Sequence, residues 1–263
     1  MIAATSCGMR ALALSAILAV PGVAFAADRT VESVLAQVAA SSVERPANFD
    51  GADLSGLDLS RVDFRGATFL KANLFGTKLV LARLARADLS GANLNGAWLM
   101  GTDFSGARLV GTSLLSVVVL GGTVRDKPVF AGADLSGARI IADFPATDLR
   151  GAVLRGANLG VNIRNQGMGQ MRTDLTGANL AGADLSGADL NRAVLSFANL
   201  TNANLTDARL YGASLAGADL RGADVDRADF TEVDVDRANF TGARGVGSAK
   251  GLDTPVNRSK AVF

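Results

Sequence analysis

Aspartate and asparagine are the residues of this chain whose spacing could support chemistry. They recur at every fifth position, as at Asp53, Asp58 and Asp63. Stacked carboxylates would suit Ca²⁺, which prefers oxygen ligands. Histidine is absent and the single cysteine is Cys7, so the usual nucleophile–base pairs and zinc ligands are missing.

A structural role explains these polar residues more simply than a metal site. Each precedes a large apolar residue, and a short Asp or Asn side chain can accept hydrogen bonds from nearby backbone amides in a turn. The sequence also contains no P-loop and no dinucleotide-binding fingerprint. We therefore predict that the chain is not an enzyme and has no catalytic residue, cofactor or metal site.

A large apolar residue recurs at every fifth position, and this period determines the fold that positions the polar residues. The first run of these core centres comprises Phe49, Leu54, Leu59, Phe64, Phe69, Leu74, Leu79, Leu84, Leu89, Leu94, Leu99, Phe104, Leu109 and Leu114. On an α-helix such residues would spiral around the surface, and a flat strand needs alternation at two. A chain that turns a corner at every repeat sends each centre inward. Four sides then make one square coil, and stacked coils bury a continuous apolar column.

The other repeat positions fit this coil. A small residue, usually alanine, stands two positions before the centre, as at Ala52 and Ala72. It points inward near a corner, where little space remains. Glycine is frequent two positions after the centre, as at Gly56 and Gly76, because corners demand unusual backbone conformations.

The unit ADLSG occurs at 52–56, 87–91, 133–137 and 183–187. It resembles the pentapeptide-repeat family, whose consensus is A(D/N)LXX, and the resemblance covers about residues 47–242. This resemblance implies an all-β fold, a right-handed quadrilateral β-helix. In this chain we expect a short helix to cap the N-terminal end of the solenoid.

The repeat region is interrupted twice. The apolar period weakens through Val119 and Val124 and breaks near 121–129, and it breaks again near 164–172. Between them it resumes at Phe130 and shortens by one position at Phe144, and the last block runs from 175 to 240. The centres predict roughly eight coils and a rod roughly 40 Å long. The tail, 243–263, is predicted either to cap the far end or to fray.

Residues 1–26 have the features of a secretory signal peptide. Arg10 precedes a short apolar segment, and Ala24, Phe25 and Ala26 form the small-x-small pattern of a cleavage site. We predict Sec-type export and cleavage after Ala26, giving a periplasmic or secreted protein without stable membrane insertion. Cleavage would remove Arg10 and leave the basic and acidic residues equal in number.

Residues 27–46 precede the repeats. Val31, Val34, Leu35 and Val38 follow helical spacing, with Thr30 or Asp28 as a candidate N-cap. We predict a short amphipathic helix that covers the open end of the solenoid, where core and strand edges would otherwise be exposed. A helix that binds a partner is the alternative.

Equivalent positions of successive square coils, four repeats apart, should stack on one face. This rule predicts an outward apolar patch, which consists of Val80, Leu81, Trp98, Met100, Val118 and Leu120. Contiguous exposed apolar patches are unusual on soluble monomers. The patch predicts contact with a second copy or another protein; the alternative is that the segment 121–129 folds over the patch and buries it.

Charge is also uneven along the chain. Six basic residues between Arg61 and Arg86 accompany only Asp63, whereas the segment from Asp219 to Asp236 is rich in acids. This asymmetry could steer a partner or drive head-to-tail association, but ordinary solvated faces would look the same.

We interpret the chain as a non-enzymatic scaffold that binds protein rather than nucleic acid. The alternative, implied by the resemblance alone, is a DNA mimic that binds a type II topoisomerase and protects gyrase. Neutral mature charge and the predicted signal peptide disfavour that alternative.

Overall fold

A computed structural model describes residues 29–119, 126–161 and 172–263. Its backbone winds as a four-sided coil in which parallel bridges join residues one turn apart, such as Asn48 to Thr68 and Asp53 to Asn73. One bridge residue lies on each side. We name the four sides by their first bridge residue: the Asn48, Asp53, Asp58 and Asp63 faces.

The core centres form the interior column predicted from the sequence period. Leu89 and Leu185 are completely buried, and the alanines two positions before them, Ala87 and Ala183, are buried as well. Phenylalanines stack where they meet: the ring centroids of Phe104 and Phe130 lie 4.9 Å apart. Burying one large side chain stabilises the fold by about 1.5–3 kcal/mol, so the column is the main source of stability.

Hydrogen bonds run from coil to coil and across each corner. The amide of Leu54 donates to the Asn73 carbonyl, and the amide of Asn73 donates to the Ala52 carbonyl. Asp53 Oδ1 accepts from the Ser55 amide at 3.0 Å, as the turn interpretation predicts. Where threonine takes the small inward position it reaches the neighbouring coil, as in the 2.8 Å bond from Thr77 Oγ1 to the Leu54 carbonyl.

The corners take positive φ two positions after the core centre. Gly56 lies at 68°, which glycine adopts without steric cost, but Arg61 lies at 64° and Phe197 at 59°. A side chain with a Cβ in this region costs roughly 1–2 kcal/mol. Non-glycine corners are therefore places where the chain accepts strain.

Coil-to-coil bridges continue past both interruptions on the Asn48, Asp53 and Asp63 faces; on the Asp58 face, among the described residues, they end at Val118 and resume at Asp143. The bridge from Asp103 to Val129 closes a coil that the first interruption lengthens, and the bridge from Asn158 to Asp189 closes a still longer one. Within the described part of the chain, regular strands occur at β1, Ser113–Leu115, and β2, Arg139–Ile141, which pair in parallel. Val119 is half-buried, and Val124 lies outside the described residues.

The rod is longer than the sequence period indicated. The Asn48 face carries ten stacked positions: Asn48, Thr68, Asp88, Arg108, Asp134, Val153, Asp184, Asn204, Asp224 and Arg244. Ten coils at the strand spacing give a rod of about 45 Å. The estimate of eight coils was too low because it left out the tail and the sides next to the first interruption.

The tail builds the tenth coil from longer sides. Its bridge residues, Arg244, Lys250, Val256 and Val262, recur at every sixth position instead of every fifth. Leu252 is buried, and the ring of Phe263 stacks on Phe240 at 4.9 Å. A short 3-10 helix, Arg258–Lys260, lies in the last side.

Helix α1, Val31–Ala39, packs against the first coil. Thr30 is its N-cap and exchanges hydrogen bonds with Ser33 in a capping box. Val34 is buried in the core cluster, whereas Leu35 is 45% exposed, so the apolar stripe is only partly covered. Gln37 Nε2 donates to the Asn48 carbonyl at 2.6 Å and satisfies an acceptor at the edge of the coil.

The segment assigned to the signal peptide, 1–26, lies outside the described residues. No helix within the described ranges is long and apolar enough to cross a membrane.

Candidate interaction surfaces

The predicted apolar patch lies on the Asp58 face and its edge. Bridges stack Lys78, Trp98 and Val118 in one column, with Val80 and Met100 beside them. Trp98 is 36% exposed and Leu81 is 44% exposed, while Val80, Met100 and Val118 are half-buried. Leu120 lies outside the described residues. The structure therefore brings five of the six predicted residues together.

Lys78 is a charged neighbour of Trp98. The Lys78 ammonium lies 6.0 Å from the centroid of the indole ring, at the outer limit of a cation–π contact. Residues 121–125 of the segment 121–129 lie outside the described residues, so its covering of the patch stays a prediction.

Two exposed aromatic residues of the last block were missed by the sequence reasoning. Phe197 is 64% exposed and Tyr211 is 36% exposed. Phe197 occupies a corner, a position usually held by glycine. A large residue at a glycine position is the signal that would have found it.

The carboxylates of the faces are held in turns and ion pairs. Arg221 donates to Asp219 through Nε and Nη2, and these hydrogen bonds lower the pKa of Asp219. A hydrogen bond to Glu232 raises the pKa of Tyr211. Within the described ranges no group of three or more His, Cys, Asp or Glu residues could hold a metal ion.

The acidic C-terminal segment is neutralised by the tail. Arg244 pairs with Asp224, Lys250 with Asp229 at 2.9 Å, and Lys260 with Asp236. Each cation lies at least one full coil further along the sequence than its acid, so a local count of charges misses these pairs. The expected acidic end is therefore largely compensated, which weakens the case for head-to-tail association by charge.

The basic N-terminal coils are compensated far less. Asp63 accepts hydrogen bonds from Nε and Nη2 of Arg65, which lower its pKa, and it also faces Arg83 at 3.7 Å. Lys78 reaches Asp58 at 3.6 Å. Within the described ranges, no ion pair or side-chain hydrogen bond engages the side chains of Arg61, Lys71 and Arg86.

A family model described as pentapeptide repeats matches the chain in eight copies. The matched residues are 47–79, 77–114, 171–207 and 208–244, which together make up more than half of the sequence. They coincide with the most regular coils. No curated protein gives a significant match.

Several solved structures are similar to this chain. HetL, a pentapeptide-repeat protein involved in heterocyst differentiation regulation from the cyanobacterium Nostoc sp. strain PCC 7120, is 28% identical. That alignment covers 89% of this chain and 100% of HetL, with a TM-score of 0.34. Rfr23 from the cyanobacterium Cyanothece 51142 is also 28% identical. It aligns over 46% of this chain and 90% of its own, with a TM-score of 0.35.

QnrB1, a plasmid-mediated fluoroquinolone resistance protein, is 21% identical. The alignment covers 73% of this chain and 83% of QnrB1, with a TM-score of 0.38.

Proposed function

Because the chain belongs to the pentapeptide-repeat family, we propose that it is a non-enzymatic scaffold whose apolar patch binds another protein. The simplest partner is a second copy of the same chain, because it presents the same apolar patch. Proteins of this family fold as right-handed β-helices, and we assign that winding to the coil seen here. Helix α1 then acts as the cap of its N-terminal end.

The observation that carries this proposal is the contiguous exposure of Trp98 and Leu81 beside Val80, Met100 and Val118. Removing such an apolar surface from water is favourable, and tryptophan is among the residues most often found at the energetic centre of an interface. The flat Asp58 face can meet a flat partner without rearranging the coil.

The test is a double substitution, Trp98→Ser with Met100→Glu. It removes the central aromatic ring and adds a charge that a dry interface cannot accommodate. We expect sedimentation velocity to show a shift toward monomer, with an unchanged circular dichroism spectrum. The matched control is Ala216→Glu, at the equivalent position of a later coil, which should leave the assembly unaltered.

A monomeric wild-type protein with Trp98 shielded from a soluble quencher would contradict the proposal. It would support the alternative in which the segment 121–129 covers the patch.

We also propose that the protein is exported and that its mature form begins at Ala27. The support is the Arg10, apolar segment and Ala24–Phe25–Ala26 pattern. N-terminal sequencing of the protein from fractionated cells should give Ala27 in the periplasm or the medium. Recovery of an intact Met1 form confined to the cytoplasm would refute export.

Gyrase protection by DNA mimicry is the second reading. Mimicry of a duplex needs a continuous acidic surface, since a duplex carries one negative charge per about 1.7 Å. The pairs Arg221 with Asp219, Arg244 with Asp224 and Lys250 with Asp229 interrupt the acidic segment. This compensation favours the scaffold over the mimic.

A further inference from the structure

Four arginines gather on and beside the first two coils of the Asp63 face. Arg65 and Arg83 lie on the face and share the single carboxylate of Asp63. Arg61 and Arg86 occupy the corners that bound it. We call these four residues the arginine patch; its four positive charges against the one negative charge of Asp63 leave a net charge of +3.

The two corner arginines stand where the backbone disfavours them. Arg61 has φ 64° and Arg86 has φ 60°, a region that glycine occupies without cost. Glycine takes the same column one coil away from Arg86, at Gly66 and Gly106. Other non-glycine corners, including Arg192 and Arg237, share this conformation. What distinguishes Arg61 and Arg86 is that they flank Arg65 and Arg83, which share one carboxylate.

In the later coils, carboxylates balance most of the positive charges. In the coils from Asp184 onward, most basic side chains have a carboxylate of their own; these pairs involve Arg209, Arg221, Arg227, Arg237, Arg244, Lys250 and Lys260. The arginine patch is therefore a local excess of positive charge, which suits an anionic partner.

An apolar side chain adjoins the patch. Leu81 occupies the same corner column as Arg61, one coil along, at φ 58° and 44% exposed. Arginines beside an exposed leucine match a lipid headgroup region, which offers phosphates outside and acyl chains just beneath. A nucleic-acid backbone offers the phosphates but no comparable place for the leucine.

We propose that the arginine patch docks the rod onto an anionic phospholipid surface, with Leu81 entering the headgroup layer. Arg61, Arg65, Arg83 and Arg86 bind lipid phosphates, and the first two coils of the Asp63 face lie against the bilayer. This contact is peripheral. It shares Leu81 with the apolar patch but leaves Trp98, Met100 and Val118 on the Asp58 face available to a protein partner.

The experiment compares two double variants of the full protein as isolated from cells. Arg61→Gly with Arg86→Gly removes two patch charges, and Arg192→Gly with Arg237→Gly removes two charges from corners of later coils. All four sites have positive φ, between 55° and 64°. Glycine relieves strain at each of them, so neither variant should lose melting temperature.

Binding is measured by co-sedimentation with vesicles of phosphatidylcholine mixed with an equal part of phosphatidylglycerol. The patch variant should bind less tightly by roughly fivefold per arginine removed, and the control should bind like the unaltered protein. Leu81→Gly should also weaken binding. Added salt should release the protein, because exposed charges are screened.

Four outcomes would overturn the proposal. These are equal weakening in both double variants, equal binding to pure phosphatidylcholine, no vesicle binding at low salt, and binding to a duplex DNA oligonucleotide in place of vesicles.

Discussion

We expect Leu185→Asp to unfold the coils around it, whereas Ser186→Asp leaves the melting temperature nearly unchanged. Leu185 is completely buried and its neighbours in the column are other leucines. Loss of the leucine alone costs about 2–5 kcal/mol, and the unpaired carboxylate adds several more. The total is comparable to the stability of a whole domain.

Ser186 is the matched control because it is the next residue and points outward. Its side chain is half-buried, and Arg155 lies nearby, paired with Asp184 at 2.6 Å. An added carboxylate at this position stays in contact with water. Thermal denaturation followed by circular dichroism distinguishes the two variants, and equal losses in both would refute the inward and outward assignment.

The second large effect is expected at Gly245, where the final coil closely approaches its neighbour. A Cβ at this position would collide with both Cα and N of Asp226, which are backbone atoms that cannot yield easily. Gly245→Ala should therefore lift the final coil away. The contacts of Lys250 with Asp229 and of Phe263 with Phe240 would be lost with it.

Gly242→Ala is the control that distinguishes the cost of a positive φ from the cost of a steric clash. Gly242 has φ 70° and Gly245 has φ 75°, but a Cβ on Gly242 would meet nothing within 4 Å. In both variants the positive φ lowers the free energy of unfolding. In Gly245→Ala we expect it to fall by a further amount of roughly 1–3 kcal/mol, the usual cost of overpacking. Hydrogen exchange of residues 244–263 should rise only in Gly245→Ala. Equal protection in both variants would show that the coil absorbs the extra methyl group.

The sequence was most informative where one residue type has one role. Leucine and phenylalanine at every fifth position predict the interior column, because an apolar side chain can be buried in only one direction on each short side. The turn role of Asp53 follows from the reach of its short side chain, and it is confirmed by the bond to Ser55.

The rest could not be predicted because it depends on neighbours across coils. Lys250 pairs with Asp229 of the preceding coil, and nothing in the local sequence indicates this pairing. The tail changes to longer sides, so the apolar period that marks the other coils disappears there. Phe197 was missed because the repeat predicts the backbone of its corner but not the residue that occupies it.

The bridges across the interruptions bear on how the chain folds and on how well it tolerates insertions. Closing a coil joins Asn48 to Thr68 in the regular part and Asn158 to Asp189 across the second interruption. Because closure entropy grows only with the logarithm of length, the longer coil costs merely about 0.4 kcal/mol more. The contact distance along the sequence also stays short however many coils are added. Insertions at a corner are thus thermodynamically almost neutral, and any coil can serve as the nucleus from which the rod grows in both directions.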